Sequence, residues 1–372
     1  MIDRGHVEII RSATFEGMAD AHGFPTARYQ RYYAMLSRHV KKMVCGFLYI
    51  SEAGRAMHPG QAGMDSPAKI AAFRPITRAV HDNGAKIIAQ IAHAGRQTNH
   101  ARAEGVSARP SSYFGVRPKA LSTAEVEGVI MDFARAAQFA RAAGFDGVQL
   151  HAAHGYLIHQ FMLRSVNDRT DAYAAPYLFL ERVIAAVREG CGADFPLWVK
   201  ISAGVDIESF SRADFLALIH TLDACRVDAI EVSYGTMDVA LNIFRGAAPL
   251  RTILRFNPLM ASKGLAWKLF RLPFEYARLK PFRPAYNLEA ARLAQAQTTI
   301  PVYAVGGFQS GAEIAAANFK HISLCRPFIC EPNFLKKLAA NPAYVSKCIH
   351  CNLCAVMSDS DRPLRCYLGK QP

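Results

Sequence analysis

Four cysteines near the C-terminus have a spacing that is typical of metal binding. Cys348, Cys351, Cys354 and Cys366 follow the pattern C-x2-C-x2-C-x11-C. Structural zinc usually takes two separated pairs of cysteines, whereas three close thiolates and one remote thiolate suit the corners of an iron–sulfur cube. The spacing therefore favours iron–sulfur over zinc, although four thiolates can bind either metal. A disulfide framework is not expected, because this is not a short secreted chain.

Two histidines and a tyrosine with a short spacing form a second candidate site. His151, His154 and Tyr156 lie within the stretch "HAAHGY". Histidines at positions i and i+3 can ligate a metal, but no carboxylate or third histidine stands at a matching spacing nearby. A pair of half-buried core histidines is a further alternative.

The elements that would position these groups are strands alternating with helices. Eight strands in alternation with helices favour a closed (β/α)8 barrel of the α/β class over an open sheet. The absence of an early GxGxxG motif gives little support to a dinucleotide-binding fold. The predicted strands are 8–13, 44–49, 86–91, 147–151, 197–202, 228–233, 301–305 and 321–325.

The barrel prediction has a consequence for the chemistry of the site. In such barrels the active site lies at the carboxyl ends of the strands, and the loops after strands seven and eight frequently bind phosphate. Gly306 and Gly307 follow the seventh predicted strand and would allow close approach of backbone N–H groups. Arg326 follows the eighth strand and offers a bidentate donor. A phosphate-bearing cofactor is therefore expected, with a tight turn and a surface arginine as the alternative.

Composition limits the class of protein. The chain has 372 residues, 51% hydrophobic and 20% charged. The N-terminus has no apolar signal region, and no run of about 18 apolar residues occurs. We therefore predict a cytoplasmic protein without a membrane span. The remaining cysteines read as reduced core residues; they are Cys45, Cys191, Cys225, Cys325 and Cys330.

Positive charge is concentrated in one stretch. The net charge is +14, and residues 241–287 carry nine Lys or Arg residues and one acidic residue, Glu275. A solvated face and an anion- or partner-binding surface are both consistent with this stretch. The chain has no long run of Lys or Arg residues, so nucleic-acid binding is not predicted. The predicted organisation is a barrel over residues 1–340, with a basic insertion at about 241–287, and a C-terminal cluster segment over residues 341–372.

Four motifs resemble one known family. The stretches "GFDGVQLHAAHGYLIHQFMLRSVNDRTDAY", "AQIAHAGRQ", "YAVGGF" and "CRPFICEP" are similar to those of the old yellow enzyme family of FMN-dependent oxidoreductases. The four-cysteine tail resembles the iron–sulfur branch, typified by 2,4-dienoyl-CoA reductase and trimethylamine dehydrogenase. The resemblance covers essentially the whole chain and implies FMN and a 4Fe-4S cluster as cofactors.

The resemblance also assigns roles to residues. Gln90 matches the residue that hydrogen-bonds the flavin pyrimidine edge, and Lys200 matches the cation near flavin N1. Reduced flavin carries negative charge there, so a cation is physically reasonable. The other implied FMN contacts are Ser12, Ala13, Thr14, Gly306, Gly307 and Arg326, and the implied cluster ligands are Cys348, Cys351, Cys354 and Cys366.

The same resemblance implies a catalytic triplet. His151 and His154 match the pair that holds a substrate carbonyl or another anionic group, and Tyr156 matches the proton donor to carbon. A phenol with a pKa near 10 suits protonation of a carbanion-like centre at neutral pH. Phe15 stands where trimethylamine dehydrogenase forms its thioether to flavin, so FMN is expected to be held non-covalently.

The branch relatives carry several hundred further residues that bind a second nucleotide. We therefore expect a separate electron carrier, similar to a ferredoxin, a flavodoxin or a reductase, with direct reduction by NAD(P)H as the alternative. The preferred function is reduction of an activated C=C bond. The alternatives are an oxidative amine-type dehydrogenase that discharges electrons through the cluster, and a zinc-bound barrel without catalysis. The prediction also allows a homo-oligomer and a small-molecule substrate.

Overall fold

The central element of the fold is a closed barrel of parallel strands. A computed structural model of the chain describes residues 7–264 and 272–369. The strands are β1 (Glu8–Arg11), β2 (Lys42–Tyr49), β3 (Lys86–Ala92), β4 (Glu104–Gly105), β5 (Lys119–Ala120), β6 (Val148–Ala152), β7 (Leu197–Ser202), β8 (Ala229–Ser233), β9 (Val302–Val305) and β10 (His321–Leu324).

The order of strands around the barrel is β1-β10-β9-β8-β7-β6-β3-β2, and β1 closes the ring by pairing with both β10 and β2. The two-residue strands β4 and β5 form a separate parallel pair. All eight predicted strands are present, with boundaries that differ by no more than two residues. The prediction of an eight-stranded α/β barrel is therefore confirmed.

Helices follow the strands around the outside of the barrel, which agrees with the predicted alternation. Those of the described residues are α1 (Ala27–Ser37), α2 (Pro67–His81), α3 (Thr123–Ala142), α4 (Leu157–Met162), α5 (Leu178–Cys191), α6 (Arg212–Ala224), α7 (Ala240–Phe244), α8 (Leu250–Phe256), α9 (Pro258–Ala261), α10 (Leu272–Ala277), α11 (Leu288–Gln295), α12 (Gly311–Ala317), α13 (Arg326–Cys330), α14 (Phe334–Ala340) and α15 (Leu353–Val356).

Local sequence explains where the long helices begin and end. Ser122 and Glu125 form a capping box at the start of α3, because each side chain accepts from the other residue's backbone N–H. Helix α5 ends at Cys191. Gly192 follows it with φ 81°, a positive value that glycine adopts more readily than other residues.

Two apolar layers hold the barrel together. One large cluster lies between the strands and the helices, and a smaller cluster fills the barrel interior. The interior cluster includes Trp198 and Tyr303, whose rings stack with centroids 4.9 Å apart. This packing fills the amino-terminal end of the barrel. The polar side chains of the candidate site lie towards the carboxyl ends of the strands. The other members of the interior cluster are Ile10, Val44, Ile88 and Ala229.

The loop after β1 approaches β2 closely at one glycine. The pairing of β2 with β3 is irregular between Cys45 and Leu48. A Cβ atom on Gly46 would lie 1.8 Å from the carbonyl oxygen of Thr14, so no larger side chain fits there. The backbone at Thr14, one of the predicted cofactor contacts, therefore depends on a glycine in the neighbouring strand.

The C-terminal segment packs on the carboxyl ends of the strands. The Leu364 N–H donates to the Glu16 carbonyl oxygen after β1 (2.8 Å), and Asn352 Nδ2 donates to the Ala247 carbonyl oxygen (3.0 Å). Met357 is fully buried. The segment therefore forms part of the wall around the barrel mouth. Among the described residues, no helix has the length and apolar character needed to span a membrane.

Candidate functional site

The predicted catalytic triplet forms one cluster at the end of β6. The ring of His151 lies 4.9 Å from the ring of His154 and 4.7 Å from the ring of Tyr156, and both contacts are edge-to-face. His151 is in register with Lys200 on β7. The structure therefore brings together all three residues that the sequence singled out, although their roles stay predictions.

His154 is held in an uncommon backbone conformation. Its φ is 61°, which a non-glycine residue seldom adopts. Its backbone N–H donates to the Ser202 hydroxyl (3.1 Å), and its Nε2 lies 2.8 Å from the Ser233 hydroxyl. Residues that are held in sparsely populated conformations cluster at functional sites. Two strand-end hydroxyl groups thus fix both the backbone and the ring of this histidine.

Burial keeps both imidazoles neutral. The pKa of His151 lies well below its ordinary value because the ring is desolvated and because Lys200 is positively charged. The pKa of His154 is lowered by burial and then by His151 and Lys200. A neutral imidazole carries one donor and one acceptor nitrogen. Because Nδ1 of His151 is buried and has no hydrogen-bond partner among the described residues, this atom indicates a polar group of a ligand or cofactor.

The phenol of Tyr156 is buried beside an aromatic ring. Only 3% of Tyr156 is exposed, and its ring stacks on Phe47 with centroids 5.3 Å apart. Burial raises the pKa of Tyr156, and the negative charge of Asp359 raises it further. The phenol is therefore protonated at neutral pH, as a proton donor must be.

Lys200 belongs to a buried polar network inside the barrel. Its Nζ donates to the Ser12 hydroxyl (3.0 Å) and lies 3.5 Å from Glu231 Oε1. The Ser12 hydroxyl donates in turn to Glu231 Oε1 (2.6 Å). Burial by itself would raise the pKa of Glu231, but the Lys200 charge and the hydroxyl donors hold it below its ordinary value. The cation predicted to face flavin N1 is thus paired with a carboxylate.

Gln90 is connected to the same network from the opposite side. Its Nε2 donates to Gln149 Oε1 (2.7 Å), and Gln149 Nε2 donates to Glu231 Oε2 (2.9 Å). The Ser323 hydroxyl also donates to Glu231 (2.8 Å). Sequence reasoning missed Gln149, Glu231 and Ser323. Their positions within predicted barrel strands were a usable signal, since polar residues in such strands must find buried partners.

The predicted phosphate-binding elements lie close to one another. Gly306 (φ 122°) and Gly307 (φ 84°) follow β9, and a Cβ on Gly306 would lie 2.5 Å from the Tyr286 ring. Arg326 begins α13 after β10, is largely buried, and donates to the Arg245 carbonyl oxygen (2.7 Å). The Arg245 guanidinium lies 4.4 Å from the Tyr286 ring centroid. The basic stretch therefore contributes Arg245 and Tyr286, which sequence reasoning did not place here.

The four predicted metal-binding cysteines line a single cavity. Cys330 and Arg326 lie in the same wall, and the Cys330 sulfur is 3.8 Å from the Cys366 sulfur. All of these cysteines are free thiols. Within the described residues, no group of three or more His, Cys, Asp or Glu side chains has the spacing to hold a metal ion. The four cysteines thus share one cavity, but their side chains are not arranged as a metal site, and the iron–sulfur cluster stays a prediction.

The cysteine segment is connected to the predicted catalytic triplet through two intervening residues. Asp359, between Cys354 and Cys366, lies with Oδ1 3.2 Å from His58 Nδ1 and accepts a hydrogen bond from Asn257. His58 in turn packs against Phe47, the residue that stacks on Tyr156, with ring centroids 6.0 Å apart. Sequence reasoning missed this contact, because nothing in the sequence pattern pairs position 359 with position 58.

Comparison with known proteins identifies the family of this chain. Residues 9–256 match the model of the NADH:flavin oxidoreductase / NADH oxidase family. The chain is 29% identical over 361 residues to 4,4'-dithiodibutanoate disulfide reductase of Rhodococcus erythropolis, covering 93% of this chain and 88% of that protein. It is 30% identical over 308 residues to an NADH oxidase of Thermoanaerobacter brockii, covering 79% of this chain and 42% of that protein.

Two solved structures share the fold. A 2-naphthoyl-CoA reductase in complex with 2-naphthoyl-CoA superposes with a TM-score of 0.80 at 20% identity, covering 97% of this chain and 54% of that chain. An old yellow enzyme homologue from Zymomonas mobilis superposes with a TM-score of 0.69 at 24% identity, covering 92% and 91%. The chain has the fold of that old yellow enzyme homologue; it belongs to the NADH:flavin oxidoreductase / NADH oxidase family and is a flavin-dependent oxidoreductase.

Proposed function

We propose that this enzyme reduces an activated C=C bond, of the enone, enoate or dienoyl type. The observation that carries the proposal is the cluster of His151, His154 and Tyr156, with two neutral imidazoles beside a protonated phenol. This combination offers hydrogen-bond donors for a carbonyl oxygen and an acid for carbon. Membership in an enzyme family removes the alternative of a non-catalytic zinc-bound barrel.

FMN is the cofactor that fits the family, and the buried polar network supports the predicted contacts. Lys200 and Gln90 offer a cation and an amide inside the barrel. When bound, FMN would supply the hydride that adds to the β-carbon of the alkene. The residues that we propose to hold it are Ser12, Ala13, Thr14, Gln90, Lys200, Gly306, Gly307 and Arg326.

We assign the histidines to the carbonyl oxygen of the substrate. Nδ1 of His151 has no partner among the described residues, and Ser233 contacts Nε2 of His154, which leaves Nδ1 of that ring for a ligand. By analogy with oxyanion holes, each donor aimed at a developing enolate oxygen lowers the activation barrier by roughly 2 to 4 kcal/mol. Because both rings are neutral, each can donate only from its single N–H group.

Tyr156 completes the reaction by protonating the α-carbon. Its O–H bond breaks, a C–H bond forms, and the phenolate then takes a proton from solvent. The raised pKa of Tyr156 favours rapid recovery of the phenol. The stack on Phe47 restricts rotation of the Tyr156 ring and so limits the positions of its hydroxyl group.

We further propose a 4Fe-4S cluster bound by Cys348, Cys351, Cys354 and Cys366. The support is their spacing in the sequence and their position around one cavity. Arg326, which we assign to the FMN phosphate, also lines this cavity. The proposed segment 341–372 would thus place a one-electron centre beside the barrel 1–340, with electrons from NAD(P)H or from a separate carrier protein.

A substrate screen tests the proposed direction of the reaction. Anaerobically purified enzyme is reduced with NADH or NADPH, and reoxidation of the flavin absorbance is followed after addition of a cyclic enone. We expect rapid reoxidation by the enone. 4,4'-Dithiodibutanoate is included, because the Rhodococcus relative is named for its reduction. If tertiary amines bleach the oxidised flavin while the reduced enzyme is inert to enones, the oxidative alternative replaces this proposal.

A further inference from the structure

Two buried carboxyl groups share one guanidinium next to the loop that carries His154 and Tyr156, which we call the catalytic loop. Arg96 Nη2 lies 2.5 Å from Glu208 Oε1 and 3.3 Å from Asp238 Oδ2. The side chains of the three residues are only 7%, 4% and 1% exposed, respectively. They come from the loops after β3, β7 and β8. Since two carboxylates face a single cation in a buried site, full ionisation of both would leave an unbalanced charge.

Asp238 holds the negative charge of the pair. Besides Arg96, it accepts from Gln97 Nε2 (2.6 Å), from the Ser111 hydroxyl (2.8 Å) and from the Ser112 N–H (2.6 Å). Burial would raise the pKa of Asp238, but Arg96 and these donors lower it below its ordinary value. A carboxylate with so many donors has no need of a proton.

Glu208 is the member of the pair that holds the proton. Its contacts are Arg96, the Thr236 hydroxyl, which donates to Oε2 (3.3 Å), and Asp238, with which it shares a side-chain hydrogen bond. Burial and the charge of Asp238 raise the pKa of Glu208 to about 7. The charged and titratable groups that face it are Arg96 and Asp238, and His159 lies behind Arg96. The buried pair therefore changes from one negative charge to two near neutral pH.

The pair is connected directly to the catalytic loop. Thr236 forms a β-bridge with His154, and the Met237 N–H donates to the His154 carbonyl oxygen (2.9 Å). Gln97, which donates to Asp238, packs so closely on Gly155 that a Cβ there would lie 2.7 Å from its Nε2. Each carboxyl group is thus one contact away from the backbone between His151 and Tyr156.

We propose that Glu208 is a positioning residue for the catalytic loop, and that the single proton shared with Asp238 keeps Thr236 and Met237 docked on His154. This inference rests on the proposed function for its effect on catalysis, but not for its effect on the loop. When Glu208 releases its proton to solvent, the second charge is repelled by Asp238. This repulsion displaces the Glu208 carboxylate and breaks the hydrogen bond that its Oε2 accepts from Thr236. The loop that carries His154 and Tyr156 then loosens.

Hydrogen exchange of the backbone amides at Gly155 and Met237, between pH 5.5 and 8.5, tests this inference. We compare the wild-type holoenzyme with Glu208→Gln, which retains a neutral side chain of the same shape, and with Glu208→Ala. Glu289→Gln is the matched control, because Glu289 is exposed and its ion pair is with Arg292 on the protein surface. Protection is expressed as the ratio of the intrinsic to the observed exchange rate at each pH.

In the wild-type enzyme we expect protection of these amides to fall by about tenfold as the pH rises through 7, since local opening is sensitive to small free-energy changes. Glu208→Gln should remain protected throughout, and Glu208→Ala should be poorly protected throughout. Undiminished pH dependence in Glu208→Gln, or wild-type protection in Glu208→Ala, would overturn the inference.

A second variant guards against misfolding of Glu208→Ala. Thr236→Val removes the hydroxyl group and should lower protection at Met237 at every pH. With enone as substrate, we expect Glu208→Ala to lower kcat more than it raises KM, and Glu208→Gln to remove the corresponding limb of the pH profile. Inactivity with every enone but intact exchange behaviour would contradict the proposed function and leave the positioning role of Glu208 in place.

Discussion

Tyr156 stacks on Phe47 with ring centroids 5.3 Å apart and an angle of 24° between the planes. Phe47 also packs edge-to-face against His151, with centroids 6.1 Å apart. One phenylalanine on β2 therefore holds both the proposed acid and one of the proposed carbonyl-binding groups. Removal of the phenol oxygen alone should leave this packing intact, which makes Tyr156→Phe an interpretable variant.

We predict that Tyr156→Phe binds FMN and is reduced by NAD(P)H as the wild type is, but is reoxidised by enones about 10² to 10⁴ times more slowly. The reason is that general acid catalysis contributes about that factor, and the phenol is needed only after the hydride has moved. Stopped-flow absorbance separates the two half-reactions. Tyr177→Phe, which loses a hydroxyl bonded to the Asp214 carbonyl oxygen, is the control. Wild-type reoxidation in Tyr156→Phe would remove the acid role.

Removal of an imidazole should weaken ligand binding rather than flavin binding. We expect His151→Ala to raise the enone KM and to lower kcat/KM by about 2 to 4 kcal/mol of transition-state stabilisation. The FMN affinity should change little, because the ring is assigned to the substrate. Both values follow from steady-state kinetics and flavin fluorescence. An unchanged KM together with loss of FMN would instead assign His151 to the cofactor.

The depressed histidine pKa values predict acid sensitivity of the fold. The folded chain keeps His151 neutral, whereas the unfolded chain binds a proton below about pH 6.5. The unfolding free energy should therefore decrease as the pH falls below about 6.5, by at most about 1.4 kcal/mol per pH unit for each such histidine. Unfolding free energies from denaturant titrations should depend less steeply on pH for His151→Gln than for the wild type. The exposed His220, changed to Gln, is the control, and equal slopes for all three proteins would contradict this prediction.

The cysteine cavity gives a prediction with an internal control. Cys354→Ser should lose most of the iron and acid-labile sulfide that we expect at about four atoms each per chain. Cys330→Ser changes a cysteine of the same cavity that lies outside the four-cysteine motif, and it should retain the iron. Metal and sulfide analysis of anaerobic preparations measures both. Stoichiometric zinc in the wild type, or equal loss of iron from Cys330→Ser, would contradict the ligand assignment.

The strands of the barrel were predictable because each is a short apolar run that is recognisable from consecutive residues. The same is true of the helix start at Ser122, where two side chains three residues apart are sufficient. His151, His154 and Tyr156 were also accessible, because six consecutive residues hold them together. Local pattern and local chemistry coincide at these positions.

Partners that are distant in sequence were not predictable in this way. Glu208 and Asp238 meet at Arg96 only because three different loops return to the same end of the barrel. Asp359 reaches His58 across some 300 residues of chain for the same reason. Their polar character was visible in the sequence, but which polar residue pairs with which is decided by closure of the barrel.

We expect an acidic electron carrier to bind the basic stretch 241–287, and testing this requires exposed cations. Arg271 lies outside the described residues, and Lys280 is unsuitable because it contacts Tyr234 and Asp206 within the structure. Arg251 and Arg255 on α8 are exposed cations of the same basic stretch. They are therefore better positions for testing whether an acidic carrier binds there.

We predict that Arg251→Glu/Arg255→Glu slows flavin reduction by a ferredoxin- or flavodoxin-like donor about tenfold or more at low salt, and that high salt slows the wild type likewise. Electrostatic steering fades as the Debye length falls from about 10 Å at 0.1 M to about 3 Å at 1 M. Reduction by NAD(P)H and the enone KM should be unchanged. A raised KM with unaltered carrier kinetics would show that these cations bind an acidic substrate instead. Equally fast, salt-insensitive reduction by NAD(P)H alone would count against any carrier.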